Sequence, residues 1–253
     1  MGSRNVFITG ASSGIGKATA YKFAEHGDNL ILCARRKEKL NEIAQDLKNS
    51  WRCHVTIYEL DVTDYSAVEE VVNDLTKKGI KIDILVNNAG LASGLDKFQD
   101  SSIKDIEQMI NVNLKGLLYV TRKIISLMVE NNSGHIINMG STAGIYAYEK
   151  AAVYCASKAA VKTLSDGIRI DVIDKDIKIT TIQPGIVQTD FSEVRFHGDK
   201  EKASKIYEGI EALLPEDIAD TVLYVANQPK RVQITDVTIM ANQQGTGFNI
   251  YRK

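Results

Sequence analysis

A chain of 253 residues with 44% hydrophobic and 25% charged residues is ordinary for a globular protein and long enough to bury most of its unfolded surface. The 31 Lys and Arg against 32 Asp and Glu leave a net charge of -1, which excludes an overall field drawing the chain to nucleic acid or to an anionic membrane. No apolar run approaches the roughly 18 residues of a spanning helix. The start Met1-Gly2-Ser3-Arg4 lacks the apolar stretch of a signal peptide, and Val6 stands where a myristoylation signal after Gly2 needs Ser or Thr, so a cytoplasmic protein is expected.

Short β-rich runs recur at residues 6–9, 30–34, 55–60, 82–86, 135–139, 179–183 and 237–240. The first, second, fourth and fifth are nearly continuous apolar runs, as strands covered on both faces require. Between the runs lie segments of helical period. Two cover residues 14–26 and 37–48, and a third begins at the cap candidates Thr63 and Asp64 and carries Val68, Val71, Val72 and Leu75. A long one follows Asn113, with Leu114, Leu117, Leu118, Thr121, Ile124, Ile125 and Met128 on one stripe, and another spans about residues 152–173. Pro215 suits the first turn of a late helix. Strand and helix in alternation predict right-handed βαβ units: a single doubly wound, Rossmann-type α/β domain over residues 1–253, with a seven-stranded parallel sheet flanked by helices. Ligands are then expected beyond the C-terminal ends of the strands. Three prolines and no repeat leave nothing that marks a linker.

The first strand runs into Thr9-Gly10-Ala11-Ser12-Ser13-Gly14-Ile15-Gly16 and then a helix. Gly10 can make the tight turn, Gly14 lets backbone approach a pyrophosphate, and Gly16 lets the helix pack close to the strand. A glycine-rich turn alone is weak evidence; its place between first strand and first helix strengthens it. The end of the second strand says more. A site for NAD wants an acid about 20 residues on, to accept the ribose hydroxyls. Here Ala34 holds that position and Arg35 and Arg36 follow. Fork-shaped cations with no carboxylate beside them suit a 2′-phosphate, so the expected cofactor is NADP(H).

Tyr154 and Lys158 stand one turn apart on a predicted helix, and Ser141 lies just past a strand end, so all three can gather at one edge of the sheet. Moving a hydride between a nicotinamide and a secondary alcohol or ketone requires a proton to be taken from, or given to, the substrate oxygen. A free phenol, with a pKa near 10, is a poor base. A cation about 4–6 Å away is worth roughly 3–4 kcal/mol at an effective dielectric near 20, so Lys158 is expected to bring Tyr154 toward neutrality. Ser141 can hold the substrate oxygen. A tyrosine and lysine at this spacing are common on helix surfaces; their combination with the glycine loop is what carries the reading. Cys33, Cys53 and Cys155 form no CxxC pair, and His26, His54, His135 and His197 are scattered, so neither disulfides nor a metal site are expected.

Together these residues resemble the short-chain dehydrogenases/reductases. The matches are Thr9-Gly10-x-x-x-Gly14-x-Gly16, Asn87-Asn88-Ala89-Gly90, Asn111-Val112-Asn113-Leu114, Ser141, Tyr154-x-x-x-Lys158 and Pro184-Gly185, in the family's order and across most of the chain. The resemblance implies that Asp61 and Val62 contact adenine, that Asn88, Ala89 and Gly90 line the cofactor, and that residues 186–189, with Val187 and Thr189, face the carboxamide. It implies that Asn113 holds a water linking Lys158 to solvent, and that Lys158 binds the nicotinamide ribose. Ser13 departs from members that carry a basic residue there, which leaves phosphate recognition to Arg35 and Arg36. The resemblance also implies a homotetramer built on the helices after Asn113 and around Tyr154.

Residues 189–196 and 236–243 further resemble the branch of the family that oxidises small 3-hydroxy acids with NADP, such as serine, allo-threonine and 3-hydroxyisobutyrate. Such acids need a cation for the carboxylate, and Arg195 is the candidate by mechanism, in a segment (191–203) expected to form a lid. A 3-oxoacyl thioester reductase or general carbonyl reductase would use the same machinery. A catalytically silent NADP-sensing protein would have no need of Tyr154.

Overall fold

The computed structural model describes residues 3–247 and 249–253; Met1 and Gly2, used in the reading of the N-terminus, and Phe248 lie outside the described residues. The strands are β1 Asn5–Thr9, β2 Asn29–Ala34, β3 Val55–Glu59, β4 Ile84–Asn87, β5 Gly134–Met139, β6 Ile177–Pro184 and β7 Asp236–Ile239. All pair in parallel in one 7-stranded sheet of order β3-β2-β1-β4-β5-β6-β7. The order reverses between β1 and β4, which opens a crevice at the C-terminal ends of these strands.

Helices cover both faces of the sheet. In β1, Val6 and Ile8 join one core while Phe7 joins the other; in β2, Leu30 and Leu32 oppose Ile31 and Cys33. This is the two-residue alternation of a strand with both sides apolar. The first core is completed by α1 (Gly14–Glu25), α2 (Lys37–Ser50) and α9 (Pro215–Ala226), through residues such as Phe23, Leu40 and Val222. The second is completed by α3 (Tyr65–Lys77) and α5 (Leu117–Glu130), through Val68, Leu75, Val120 and Ile124. Asp64 caps α3 by accepting from Ala67 N, and Pro215 opens α9, as their sequence positions predict.

The strands move by one or two residues from their expected limits, but one stretch departs from expectation. The long helix expected after Asn113 is the last part of a continuous path. It begins with α4 (Ile103–Ile110), which the sequence reading missed, and passes through a π-helical turn, Asn111–Gly116, before becoming α5. In α4 the residues Ile103, Ile106 and Ile110 recur at helical spacing, a stripe the sequence reading passed over, although only Met109 is buried. Within the expected stripe, Leu118 is 37% exposed and does not face the sheet; the π turn rotates the residues after it relative to an ideal helix.

The remaining long helix, α6 (Ala152–Asp171), carries Tyr154 and Lys158. A buried polar chain fixes it to the sheet. Asn87 Nδ2 donates to Thr121 Oγ1 and to Asn138 Oδ1, both at 2.8 Å, and Asn138 Nδ2 donates to Ser165 Oγ at 2.8 Å. Directional bonds in a dry interior admit one register, so β4, β5, α5 and α6 are locked in mutual position below the site.

Candidate active site

The loop after β1 is bent by its glycines and clamped from the side. Gly10 has φ +65, and a Cβ there would sit 2.9 Å from Ala89 Cα. At Gly16 a Cβ would come within 2.4 Å of Gly10 O and 2.5 Å of Asn88 Nδ2, so helix and strand meet only because this side chain is absent. Asn88 Nδ2 donates to Thr9 O and Gly10 O, while Thr9 Oγ1 accepts from Asn88 N and Ala89 N. Ser13 is the N-cap of α1, but its side chain makes no bond to that helix. Instead Arg36 donates to Ser12 Oγ through Nε and Nη2 (3.2 and 2.9 Å) and to Ser13 Oγ (2.7 Å). The first N–H groups of α1 are thus left for an anion, with a guanidinium beside them.

From this loop a groove of about 380 Å³ runs along the C-terminal edge of the sheet. Of the expected residues, Gly10, Ser12, Ser13, Gly14 and Ile15 line it, as do Arg35, Arg36, Asp61 and Val62, then Asn88, Ala89 and Gly90, then Ser141, Tyr154 and Lys158, and finally Pro184, Gly185, Val187 and Thr189. Gly16 and Ile186 do not. Gly16 lies behind the loop as a packing residue, and Ile186 N is turned to Gln244 Oε1 at 3.0 Å. Ala34 lines the groove where an acid would oppose a phosphate. A helix N-terminus, two arginines and no carboxylate at the end of β2 fit a dinucleotide with a 2′-phosphate.

At the other end, Tyr154 is 8% and Lys158 6% exposed. Lys158 Nζ donates to Met139 O at 2.8 Å and lies beside Gly90, where a Cβ would meet it at 3.3 Å. Burial lowers its pKa to about 8. Burial likewise raises that of Tyr154, opposed by the Arg195 charge and by a hydrogen bond with Ser141. Arg195 is a second cation near the phenol, one the sequence reading did not assign to it.

Asn113 sits in the π turn, 1% exposed. Its Oδ1 accepts from Leu91 N, and its Nδ2 donates to Leu91 O and Ser157 Oγ. Both amide hydrogens are taken, and the side chain ties the loop after β4 to α6.

Arg195 closes the short helix α7 (Phe191–Arg195) and is only 6% exposed, not the solvated loop arginine its position allowed. Its guanidinium lies 5.1 Å over the Tyr154 ring, 5.5 Å over Phe191 and 5.9 Å over Tyr148, and donates to the Tyr148 hydroxyl at 2.9 Å. Its Nε is buried without a partner. Arg195 does not line the cofactor groove; it lines a second, smaller cavity on whose wall Tyr154 also appears. Tyr148 and Gln244 went unread in the sequence, and Phe191 was read only as the start of the lid segment. Gln244 fills the space beside Gly185, where a Cβ would meet its Oε1 at 2.1 Å, and no local pattern marks a contact between segments so far apart. The start of α4 did carry a signal, Ser102 followed at the third position by Asp105.

Residues 4–200 match the short chain dehydrogenase family, and the chain belongs to that family. Among its relatives, the NADP-dependent 3-hydroxy acid dehydrogenase of Salmonella typhi is 44% identical over 98% of this chain and 99% of its own length. The protein of the same name from Schizosaccharomyces pombe is 41% identical over 99% of this chain and 97% of its own. Among solved structures, the closed form of serine dehydrogenase complexed with NADP+ superimposes with a TM-score of 0.91 at 41% identity, covering 98% of this chain and 100% of that one.

Proposed function

We propose that this chain is an NADP-dependent dehydrogenase of small 3-hydroxy acids, with Tyr154 as the group that exchanges a proton with the substrate oxygen. The observation that carries the substrate class is Arg195, a buried guanidinium with an unpartnered Nε, stacked on the ring of the reacting phenol. A buried cation without a carboxylate partner is costly to hold, and a substrate carboxylate supplies that partner. The family and the names of its relatives support the same reading.

NADP, held by the α1 N-terminus, Arg35 and Arg36 in the groove, supplies the hydride acceptor or donor. The Ser141 hydroxyl accepts from Ala143 N at 3.1 Å and donates to Pro184 O across a long 3.5 Å contact, a donation it exchanges for one to the substrate oxygen. Tyr154 takes the hydroxyl proton during oxidation and returns it during reduction. Lys158, with a pKa of about 8, exchanges a proton readily near neutrality and restores the phenol. Asn113 positions Lys158 by holding the π turn against α6. Arg195 binds the substrate carboxylate, and residues 191–203 act as the lid that brings it over Tyr154.

Among the described residues no helix is long and apolar enough to cross a membrane. The proposed setting is the cytoplasm, and the proposed assembly a homotetramer, supported by Leu118, Ile170 and Ile173, exposed by 37%, 68% and 83% on or just beyond α5 and α6. The test is a panel of 3-hydroxy acids and 3-oxoacyl thioesters assayed with NADP(H) and NAD(H). Turnover of the acids with NADP is expected; turnover of thioesters alone would replace the proposed substrate class.

A further inference from the structure

The short helix α7 is bonded to segments far from it in the chain. Arg195 O accepts from Gly94 N, in the loop after β4, at 2.9 Å, and Arg195 Nη2 donates to the Tyr148 hydroxyl, in the loop between β5 and α6. The His197 imidazole, two residues on, lies 3.5 Å from Asp105 Oδ2 on α4. Phe191 and Arg195 stand one turn apart on α7, and both meet Tyr154. The Phe191 ring approaches it edge-on at 5.8 Å, and the guanidinium lies 5.1 Å over its face. The charge of Arg195 is thus carried by the 191–203 segment, while the phenol it faces is fixed on α6.

The groups that face Tyr154 differ in what charge they bring. Lys158 and Cys155 stand on its own helix, Ser141 and Tyr148 in the loop after β5, and Arg195 on α7. Burial pushes the Tyr148 hydroxyl up to about 12 and raises the Cys155 thiol, so both are neutral near neutrality. Across the second cavity, Asp105 accepts from Ser93 Oγ and pairs with His197, while Asp96 and Lys150 are exposed, as is Asp190 in the groove. Two cations remain close. Lys158, lowered to about 8 by burial, sheds its charge just above neutrality, whereas a guanidinium keeps its charge throughout. A tyrosinate spreads negative charge into its ring, so a cation over the ring face favours the ionised phenol over the neutral one. The buried guanidinium, whose Nε has no partner, gains a counter-charge in that anion. We propose that Arg195 is a positioning residue that stabilises the ionised form of Tyr154, so that seating the 191–203 segment over the site switches on its proton exchange. With the segment lifted, the phenol stays protonated. With it seated, the phenolate takes the substrate hydroxyl proton while the carbinol hydride, with its electron pair, passes to NADP+. This rests on the reading of Tyr154 as the proton-exchanging group and is independent of the substrate class.

Two measurements on the wild-type protein, Arg195→Gln and Arg195→Lys test this. One is the acid limb of kcat/KM against pH for oxidation of a 3-hydroxy acid by NADP+. The other is the ultraviolet absorbance of tyrosinate in the NADP+ complex, taken for each protein as the difference from the same protein carrying Tyr154→Phe. Arg195→Gln keeps a donor for the Tyr148 hydroxyl and loses the charge; both midpoints are expected to rise by at least about 1 pH unit. Arg195→Lys keeps the charge and should shift them by less than about half a unit. The height of the profile reads carboxylate binding, and its position reads the phenol. A lower profile with an unmoved limb and an unmoved tyrosinate midpoint would overturn the proposal and leave Arg195 as a substrate-binding residue. If the acids are not turned over, the absorbance alone decides. Unchanged turnover in Tyr154→Phe would instead remove the reading on which the proposal rests. Should Arg195→Gln fail to fold, Arg195→Met, whose apolar side chain suits the surrounding rings, is measured in the same way with the same expected shift.

Discussion

Replacing Arg35 and Arg36 in turn by alanine separates the charge that recognises a 2′-phosphate from the scaffold that shapes the loop. Both side chains line the groove, but only Arg36 is committed within the protein, through three donations to the Ser12 and Ser13 hydroxyls. Arg35 is exposed, and its proposed contribution is one charge-assisted interaction with the phosphate. Such an interaction is worth about 1.5–3 kcal/mol, or about 10- to 100-fold in affinity, and solvent screening puts the expected loss near the lower end. Arg35→Ala should therefore raise the KM for NADP about 10-fold and that for NAD by less than about threefold. Arg36→Ala removes a charge and also frees the two serines at the start of α1, so both cofactors should weaken, NADP more. Initial rates with NADP and NAD, together with cofactor titration by fluorescence at two salt concentrations, read out both effects. The salt dependence of NADP binding should flatten in Arg35→Ala, because one phosphate contact is gone. If Arg35→Ala affects NADP and NAD equally, the charge at the end of β2 is not the source of the preference and the cofactor argument fails.

Tyr154→Phe should bind NADP normally and turn over at least about 100-fold more slowly, since only the proton-exchanging oxygen is lost; unchanged turnover would remove the tyrosine from the chemistry. Arg4 pairs with Asp28, which is 3% exposed at its side chain, through a 2.6 Å ion pair and further bonds from Nε and the backbone. Arg4→Ala leaves that carboxylate with His26 and the backbone N–H of residue 4 but without its guanidinium, and should cost about 3 kcal/mol in urea unfolding with an unchanged slope. Burial alone would raise the Asp28 pKa, but the Arg4 bonds and charge hold it below the usual range. Its stabilising effect is then present above the unfolded value of about 3.9 and fades as pH falls through the folded one, a dependence the variant should weaken. His135 is lowered to about 3 by burial, aided by the charges of Lys178 and Arg4. The unfolded chain protonates this imidazole first, so stability is full above about pH 6.5 and falls as pH drops toward the folded value. The loss by pH 5 is about 2 kcal/mol. His135→Gln should flatten that part of the profile; an identical pH dependence in the variant would show that other groups cause it.

The sequence by itself determined the order of strands and helices, the parallel doubly wound sheet, the glycine loop, the missing acid after β2, and the pairing of Tyr154 with Lys158. All of these are written in local periodicity or fixed spacing, and a covered parallel sheet leaves few other ways to arrange them. The tertiary structure decided what depends on contacts between distant segments. It placed Arg195 on the Tyr154 ring and joined it to Tyr148, 47 residues away in the chain. It brought Asp105 and that cation to the lining of one cavity, and it wedged Gln244 beside Gly185. Helical spacing makes Lys158 a neighbour of Tyr154, but only the fold reveals that the lysine is desolvated to about 8 and that a second cation, Arg195, lies over the phenol ring. Spacing fixes which groups are near; the free energy of a charge depends on everything that displaces water around it, and that is known only once the chain has folded.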